Sequence, residues 1–305
     1  MPQVLDQLST GALDWLERNL DYFDPYSARA TSAEHAPAKA ALELALLCSC
    51  SARLGDAAEG RLEAAVGVVR AIWQHAEFLD LFDEFPEYAA SYGLIYAALA
   101  PAGCDAALRR TALARLTPEF LSPADKSPYQ CLEIRYYADR AGVRHGIAPY
   151  PRLIEQSPMV RPLDPVPDAA APFTLGEAYA VTHSGFYFGD FGRNRTALAG
   201  DPLDRARRRV GLMLEHSVRQ DQWDLAAELV LTQYILGIEP QRSPQGAAAL
   251  RRLAEIQRSD GALPGRSPET TAGGSATPAR FFAAAYHTTL VTALMALIVS
   301  SGRRP

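Results

Sequence analysis

Residues 223–237 read W-D-L-A-A-E-L-V-L-T-Q-Y-I-L-G. A surface helix shows one apolar stripe opposite a polar face, so a helix that is apolar nearly all round is expected to be covered on both sides. Five more stretches share this character: 36–54 (with A-P-A-K-A-A-L-E-L-A-L-L), 86–100 (P-E-Y-A-A-S-Y-G-L-I-Y-A-A-L-A), 128–141 (P-Y-Q-C-L-E-I-R-Y-Y-A-D-R-A), 175–189 (L-G-E-A-Y-A-V-T-H-S-G-F-Y-F-G) and 282–301. Between them lie segments charged on one face: 3–21, 57–78, 105–117, 147–157, 201–218 and 245–258. In 201–218, for example, Arg205, Arg208, Arg209 and Glu215 are polar while Val210, Leu212, Met213 and Leu214 are not. No stretch keeps the strict alternation of a half-buried strand for long.

The buried-type segments begin roughly 42 to 59 residues apart, the period of stacked helical hairpins. Gly55, Gly103, Gly142, Gly237 and Gly302 stand where helix C-termini call for a left-handed residue. Six pairs of one amphipathic and one covered helix suit a closed ring better than an open solenoid, whose terminal repeats need a polar outer flank. The expected fold is therefore all-α, an (α/α)6 toroid of six hairpins forming one domain over residues 1–305. An irregular helical bundle is the alternative.

Composition narrows the partners. The chain has 305 residues, 30 Lys and Arg against 35 Asp and Glu, and a net charge of −5. That leaves no cationic surplus to neutralise phosphates, so nucleic acid is not expected as a partner. The start, M-P-Q-V-L-D-Q-L-S-T-G-A-L-D-W, lacks the basic and apolar blocks of a signal peptide. The most apolar run, Phe281–Ser300, is interrupted by Tyr286, His287 and three threonines, and is expected to be a core helix rather than a membrane span. Cys48, Cys50, Cys104 and Cys131 have no C-x-x-C spacing and are expected to be free thiols, in keeping with a cytoplasmic location.

The connections are uneven. Links out of the covered helices are short (Leu54-Gly55-Asp56, Pro101-Ala102-Gly103), whereas those into them are long and proline-rich: 22–34, 79–86, 118–128, 158–174 and 259–281. In a ring the long ones gather at one mouth, and long loops are often binding loops or lids. Within the loop at 265–280, Thr270–Pro278 (T-T-A-G-G-S-A-T-P) has the composition of either a lid or a flexible surface loop.

A polar group on a doubly covered helix must be paired, solvated in a cavity, or functional. His183, with Tyr187 four residues on, Asp224, Glu228 and His287 come from three consecutive covered helices; Glu133 and Tyr137 repeat the four-residue spacing on another. Two imidazoles and a carboxylate are ordinary ligands of a divalent transition metal such as Zn or Fe, with the remaining carboxylate as general base. Each histidine has a blander role as a hydrogen-bonded core residue, and Asp224 one as a helix-start carboxylate. Asp190, in G-D-F-G, lacks the glycine-rich and catalytic-loop motifs of a kinase and falls at a helix C-terminus, where Arg193 or Arg195 can pair it. Tyr88, Tyr92 and Tyr96 form a stripe suited to the core or, if it faces a lumen, to a sugar-binding or apolar wall. Lys39 and Glu43 are expected to form an i,i+4 ion pair, and His35 to be a solvated loop residue.

The segments T-H-S-G-F-Y-F-G-D-F-G (182–192), D-L-A-A-E-L (224–229) and Y-H-T-T-L-V (286–291) resemble an uncharacterised family of actinobacterial six-hairpin helical proteins over most of the chain. That resemblance implies roles for His183, Tyr187, Asp190, Asp224, Glu228 and His287, and a setting in specialised metabolism. A weaker, fold-level resemblance links the turn Q-R-S-D-G-A-L-P (257–264) to the Q-x-x-D-G turns of prenyltransferase and terpenoid-cyclase toroids, without their D-x-C or D-x-D-D motifs. Lanthionine cyclases share that toroid, but their adjacent Cys-His pair is absent here.

The expected function is a biosynthetic tailoring enzyme acting on a small-molecule or lipid-like substrate in the toroid cavity. His183, His287, Asp224, Glu228 and Asp190 are its candidate metal ligands, and Glu228, Asp224, Tyr187 and Glu133 its catalytic candidates. A metal-free, carboxylate-dependent hydrolase or isomerase of glycosidase type and a non-catalytic binder are the alternatives.

Overall fold

Pro37, Pro86, Pro128 and Pro278 each stand in the first turn of a helix, where a missing N–H is harmless and the fixed φ is already helical. Side chains complete several starts. Ser127 with Gln130 and Thr174 with Glu177 form reciprocal capping boxes, and Asp105, Ser243 and Thr277 each accept a backbone N–H. The computed structural model describes residues 2–29, 36–55, 60–161, 173–194, 196, 198–265 and 277–302. His35, Arg195 and Thr270–Ala276, most of the candidate lid, lie outside the described residues.

The chain is all-helical. It runs through α1 (Pro2–Arg18), α2 (Pro37–Ser51), α3 (Glu63–Ile72), α4 (Pro86–Ala98), α5 (Ala106–Ala114), α6 (Pro128–Ala141), α7 (Tyr150–Gln156), α8 (Leu175–Phe188), α9 (Gly200–Arg219), α10 (Trp223–Ile235), α11 (Pro244–Ile256) and α12 (Pro278–Ser300). Among the described residues there is no strand. The five glycines expected at helix ends all have positive φ, between 59° and 105°.

Of the even-numbered helices, α2, α10 and α12 are mostly buried and α6 and α8 about half so, whereas α4, expected to be covered along its whole length, is buried only at Gly93, Leu94, Tyr96 and Ala97. Every residue of α10 except Asp224 is buried. α2 packs on α4, α4 on α6, α6 on α8, α8 on α10, α10 on α12, and α12 on α2. Along α2, beyond its first residue, solvent reaches only Lys39, Glu43, Leu46 and Ser49, three or four residues apart and so on one stripe. α12 is long and apolar enough to cross a membrane by length and composition alone, but 78% of its most apolar window is buried inside the fold.

Two amphipathic segments are shorter than expected. Instead of continuing to residue 78, α3 stops at Ile72, and a 3-10 turn follows over Ala76–Phe82. Trp73 marks the break: its ring is stacked on Tyr96 at 4.9 Å, its indole N–H donates to the Tyr96 carbonyl, and its own carbonyl accepts the Tyr96 hydroxyl. This places Tyr96 in the core, apart from Tyr88 and Tyr92. The 147–157 segment is helical only from Tyr150, because Pro149 precedes it in an extended conformation.

α1 joins the end of the chain to its beginning. It packs on α12 and α11. Phe282 is surrounded by Trp15, Tyr22, Phe23 and Tyr286, with ring centroids 4.9–5.7 Å away. The Gln257 amide donates to the carbonyls of Leu8 and Gly261. Gly261 has φ 91°, and a Cβ there would lie 2.0 Å from the Gly11 carbonyl oxygen, so only glycine fits.

Candidate functional site

Solvent reaches the covered helices selectively. On α8, His183 is accessible while residues 181–182 and 184–187 are buried; on α12, His287 is accessible between buried 285–286 and 288–296. On α6, Tyr129 and Glu133 are accessible beside buried Cys131, Leu132 and Ile134. His183, Glu228, Glu133 and His287 lie within electrostatic reach of one another or of a shared neighbour in this set.

His183 on α8 is held by two neighbouring helices. Its Nε2 lies 3.5 Å from Glu228 Oε1 on α10, its Nδ1 lies 3.0 Å from the Tyr129 hydroxyl on α6, and Thr182 donates to the other Glu228 oxygen at 2.6 Å. Burial opposes charge on both partners. The ion pair outweighs it, so the imidazole is held above its ordinary pKa and the carboxylate below its own. As an imidazolium, His183 donates from both nitrogens. Tyr129 then accepts one of these bonds and donates to Glu133 Oε1 at 3.5 Å, an oxygen that also accepts the Tyr187 hydroxyl at 2.8 Å.

His287 has a parallel arrangement. Its Nδ1 lies 3.1 Å from Glu43 Oε2 on α2, and the expected Lys39–Glu43 pair closes at 3.6 Å. Burial pushes the His287 pKa down, but Glu43 more than compensates and raises it to about 9. Glu43 is correspondingly held below the usual carboxylate range. His287 lies within electrostatic reach of both His183 and Glu228. In both pairs solvent reaches the imidazole, 31% for His183 and 33% for His287, more than its carboxylate, 2% for Glu228 and 18% for Glu43. The imidazole of each pair therefore stands nearer solvent, with the carboxylate behind it.

The remaining expected residues are engaged elsewhere. Asp224, one turn before Glu228, accepts a hydrogen bond from the Tyr179 hydroxyl of α8. Asp190 follows α8 in a left-handed conformation, φ 43°, as does Phe191, φ 53°. Its carboxylate is gripped by Arg53 at 2.9 and 3.0 Å, by the Tyr136 hydroxyl at 2.7 Å, and by Arg140 and Arg193 at 3.5 and 3.7 Å. It thus fastens α2 and α6 to the end of α8, away from the histidines. Among the described residues no three His, Cys, Asp or Glu side chains form a group that could hold a metal ion. Of the expected ligand set, His183 and Glu228 are brought together with His287 within electrostatic reach of both, while Asp224 and Asp190 are engaged by other partners.

Two contributors were not singled out as functional in the sequence. Glu43 is explained locally by Lys39, which hides its longer-range partner; an acid within an otherwise apolar helix is the signal that could have found it. Tyr129 stands one turn before Glu133, where the same spacing that drew attention to Tyr137 applies. All four cysteines are free. A cleft of ≈ 340 Å³ bordered by Asn194, Thr196, Leu203 and Arg207 lies elsewhere, and none of the candidate residues lines it.

The fold and these pairings define an all-helical protein whose buried helices carry a concentrated set of ionised groups. The chain belongs to the family described as a domain of unknown function, DUF6895, whose model matches residues 9–297. No curated protein and no solved structure matches it.

Proposed function

We propose that the chain is an enzyme performing acid–base chemistry on a small organic molecule in a hollow ringed by α2, α4, α6, α8, α10 and α12. In this proposal those helices and their outer partners close into an (α/α)6 toroid, as in the prenyltransferase and terpenoid-cyclase folds. The succession of contacts from α2 round to α12 and back to α2 supports closure. The observation that carries the chemistry is that solvent reaches two carboxylate-backed imidazoles whose chain neighbours on both sides are buried.

His287, protonated at neutral pH, acts as the proton donor or stabilises a developing anion. Glu133 is the general base, its carboxylate oriented by Tyr187 and Tyr129. His183 communicates with that base through Tyr129. Glu228 and Glu43 are positioning residues that fix the ring orientation and charge of the imidazoles. Asp224, tied to Tyr179, shapes the approach to the site. Every step in this reading is assigned to the chain's own side chains. The density of ionised groups favours a polar substrate over a lipid-like one. Cytoplasmic tailoring of a metabolite, in the actinobacterial setting implied by the sequence resemblance, is the context that suits such a site.

Incubation with fractionated small-molecule extracts, followed by mass spectrometry, tests this. Wild type should deplete one species and accumulate another with time. Glu133→Gln and His287→Asn should lose at least about a hundredfold in rate, as expected for a missing general acid or base, with unchanged helical circular dichroism. Retention of a compound without conversion, or conversion indifferent to both substitutions, would refute catalysis at this site.

A further inference from the structure

An aromatic track leads from the protein surface to the His287–Glu43 pair. Tyr88, in the first turn of α4, is 51% exposed, the most solvent-reached tyrosine among the large exposed apolar side chains described. It stacks on Tyr92 one turn deeper, with centroids 5.8 Å apart and planes inclined by 19°. Tyr92 is braced edge-on by Phe82 at 5.8 Å. It lies within electrostatic reach of Glu43, as does Tyr286, the neighbour of His287. Half-exposed tyrosine rings therefore line the start of α4, and the far end of the track is ionised.

The surroundings decide what such rings would hold. A flat aromatic ligand is best served by apolar contact on its faces and little polarity at its edge. Here Glu43 and Glu87 lie within electrostatic reach of Tyr92, and Glu43 in turn holds Lys39 and His287, so the groups about the track are charged or hydrogen-bonding. A ligand that lies on tyrosine and meets these groups at its rim needs an apolar face and a hydroxylated edge, which is the make-up of a saturated sugar ring. Tyr96 cannot extend the platform, since it is buried against Trp73.

We infer that Tyr88 and Tyr92 form a stacking subsite for a pyranose ring, which they orient toward His287 and Glu43 with Lys39 at its edge. The inference rests on the acid–base reading above and makes the substrate of that site a glycoside or related sugar derivative.

Saturation-transfer NMR on the full chain tests it, with methyl pyranosides of gluco, galacto, manno, xylo and glucuronic configuration as probes and 1-naphthol as the flat aromatic competitor. At least one pyranoside should receive saturation at its ring C–H protons. Its Kd should rise about tenfold or more in Tyr88→Ala, while Tyr88→Trp, which restores an aromatic face, should retain binding. Because Tyr88 is exposed, Tyr88→Ala should keep its fold, and a thermal melt checks this. Binding of 1-naphthol alone, silence from every pyranoside, or pyranoside binding unchanged in Tyr88→Ala would overturn the subsite. Turnover of a non-sugar metabolite would sink the sugar assignment and leave the acid–base site standing; pyranoside binding with no conversion of any compound would do the reverse.

Discussion

Replacing Glu43 with Gln keeps the side chain's shape and removes the charge that His287 and Lys39 share. In the native protein His287 is raised from 6.5 to about 9 against the opposing effect of burial. A change of that size corresponds to about 3 kcal/mol of preference for the imidazolium, and solvent access to a third of the ring reduces the stabilisation to about 2 kcal/mol. The folded pKa exceeds the unfolded one, so this stability is fully present below pH about 6.5 and is lost as pH rises through about 9. Thermal melts of wild type and Glu43→Gln across pH 6 to 10 should therefore differ by about 3 °C at the acid end. The gap should shrink to nothing or reverse at the alkaline end, where native Glu43 keeps its charge beside a neutral ring. NMR titration should find the His287 resonance in the variant moving at or below the ordinary histidine range. A gap that stays constant with pH, or a His287 titration unaltered by the substitution, would show that the pair is not the ionised unit described.

Two further substitutions test the supports of the site. Asp190→Asn keeps a residue that tolerates positive φ but removes the charge between Arg53 and Arg140; it should cost about 2–4 kcal/mol in urea unfolding, and a loss below about half a kcal/mol would contradict the anchoring role. Gly261→Ala demands a Cβ 2.0 Å from a carbonyl oxygen at φ 91°. It should cost about 3 kcal/mol or more and speed amide exchange in α1, and a native melting curve would refute the close approach.

Helix positions were legible because their signals are local. Proline and hydroxyl caps mark the starts, glycines mark the ends, and the lack of a polar face separates covered helices from flanking ones. His183, Glu228 and His287 stood out for the same reason, as lone titratable groups in apolar surroundings. Their pairings were not legible, because a partner on another helix leaves no periodicity. Asp224 and Glu228 share a helix face in the sequence, yet one turn of separation gives them different neighbours, Tyr179 and His183. Asp190 was legible in part: its place after a helix end and its pairing with Arg193 were expected, but Arg53 and Arg140 were not. Two successive left-handed residues turn its carboxylate onto Arg53 and Arg140, a conformation that no pattern of hydrophobicity announces.

The contact of α1 with α12 also bears on how the molecule is made. A ribosome releases α1 long before α12 exists, so Leu5, Leu8, Trp15 and Phe23 wait without their final covering throughout translation. Native packing of α1 then waits on the synthesis of α12, and its apolar face is open to non-native contacts until that helix has emerged. A circular permutant linking the present termini and opened in an exposed connection elsewhere would make those two helices sequence neighbours. It should bring this pairing forward in time and shorten that exposure.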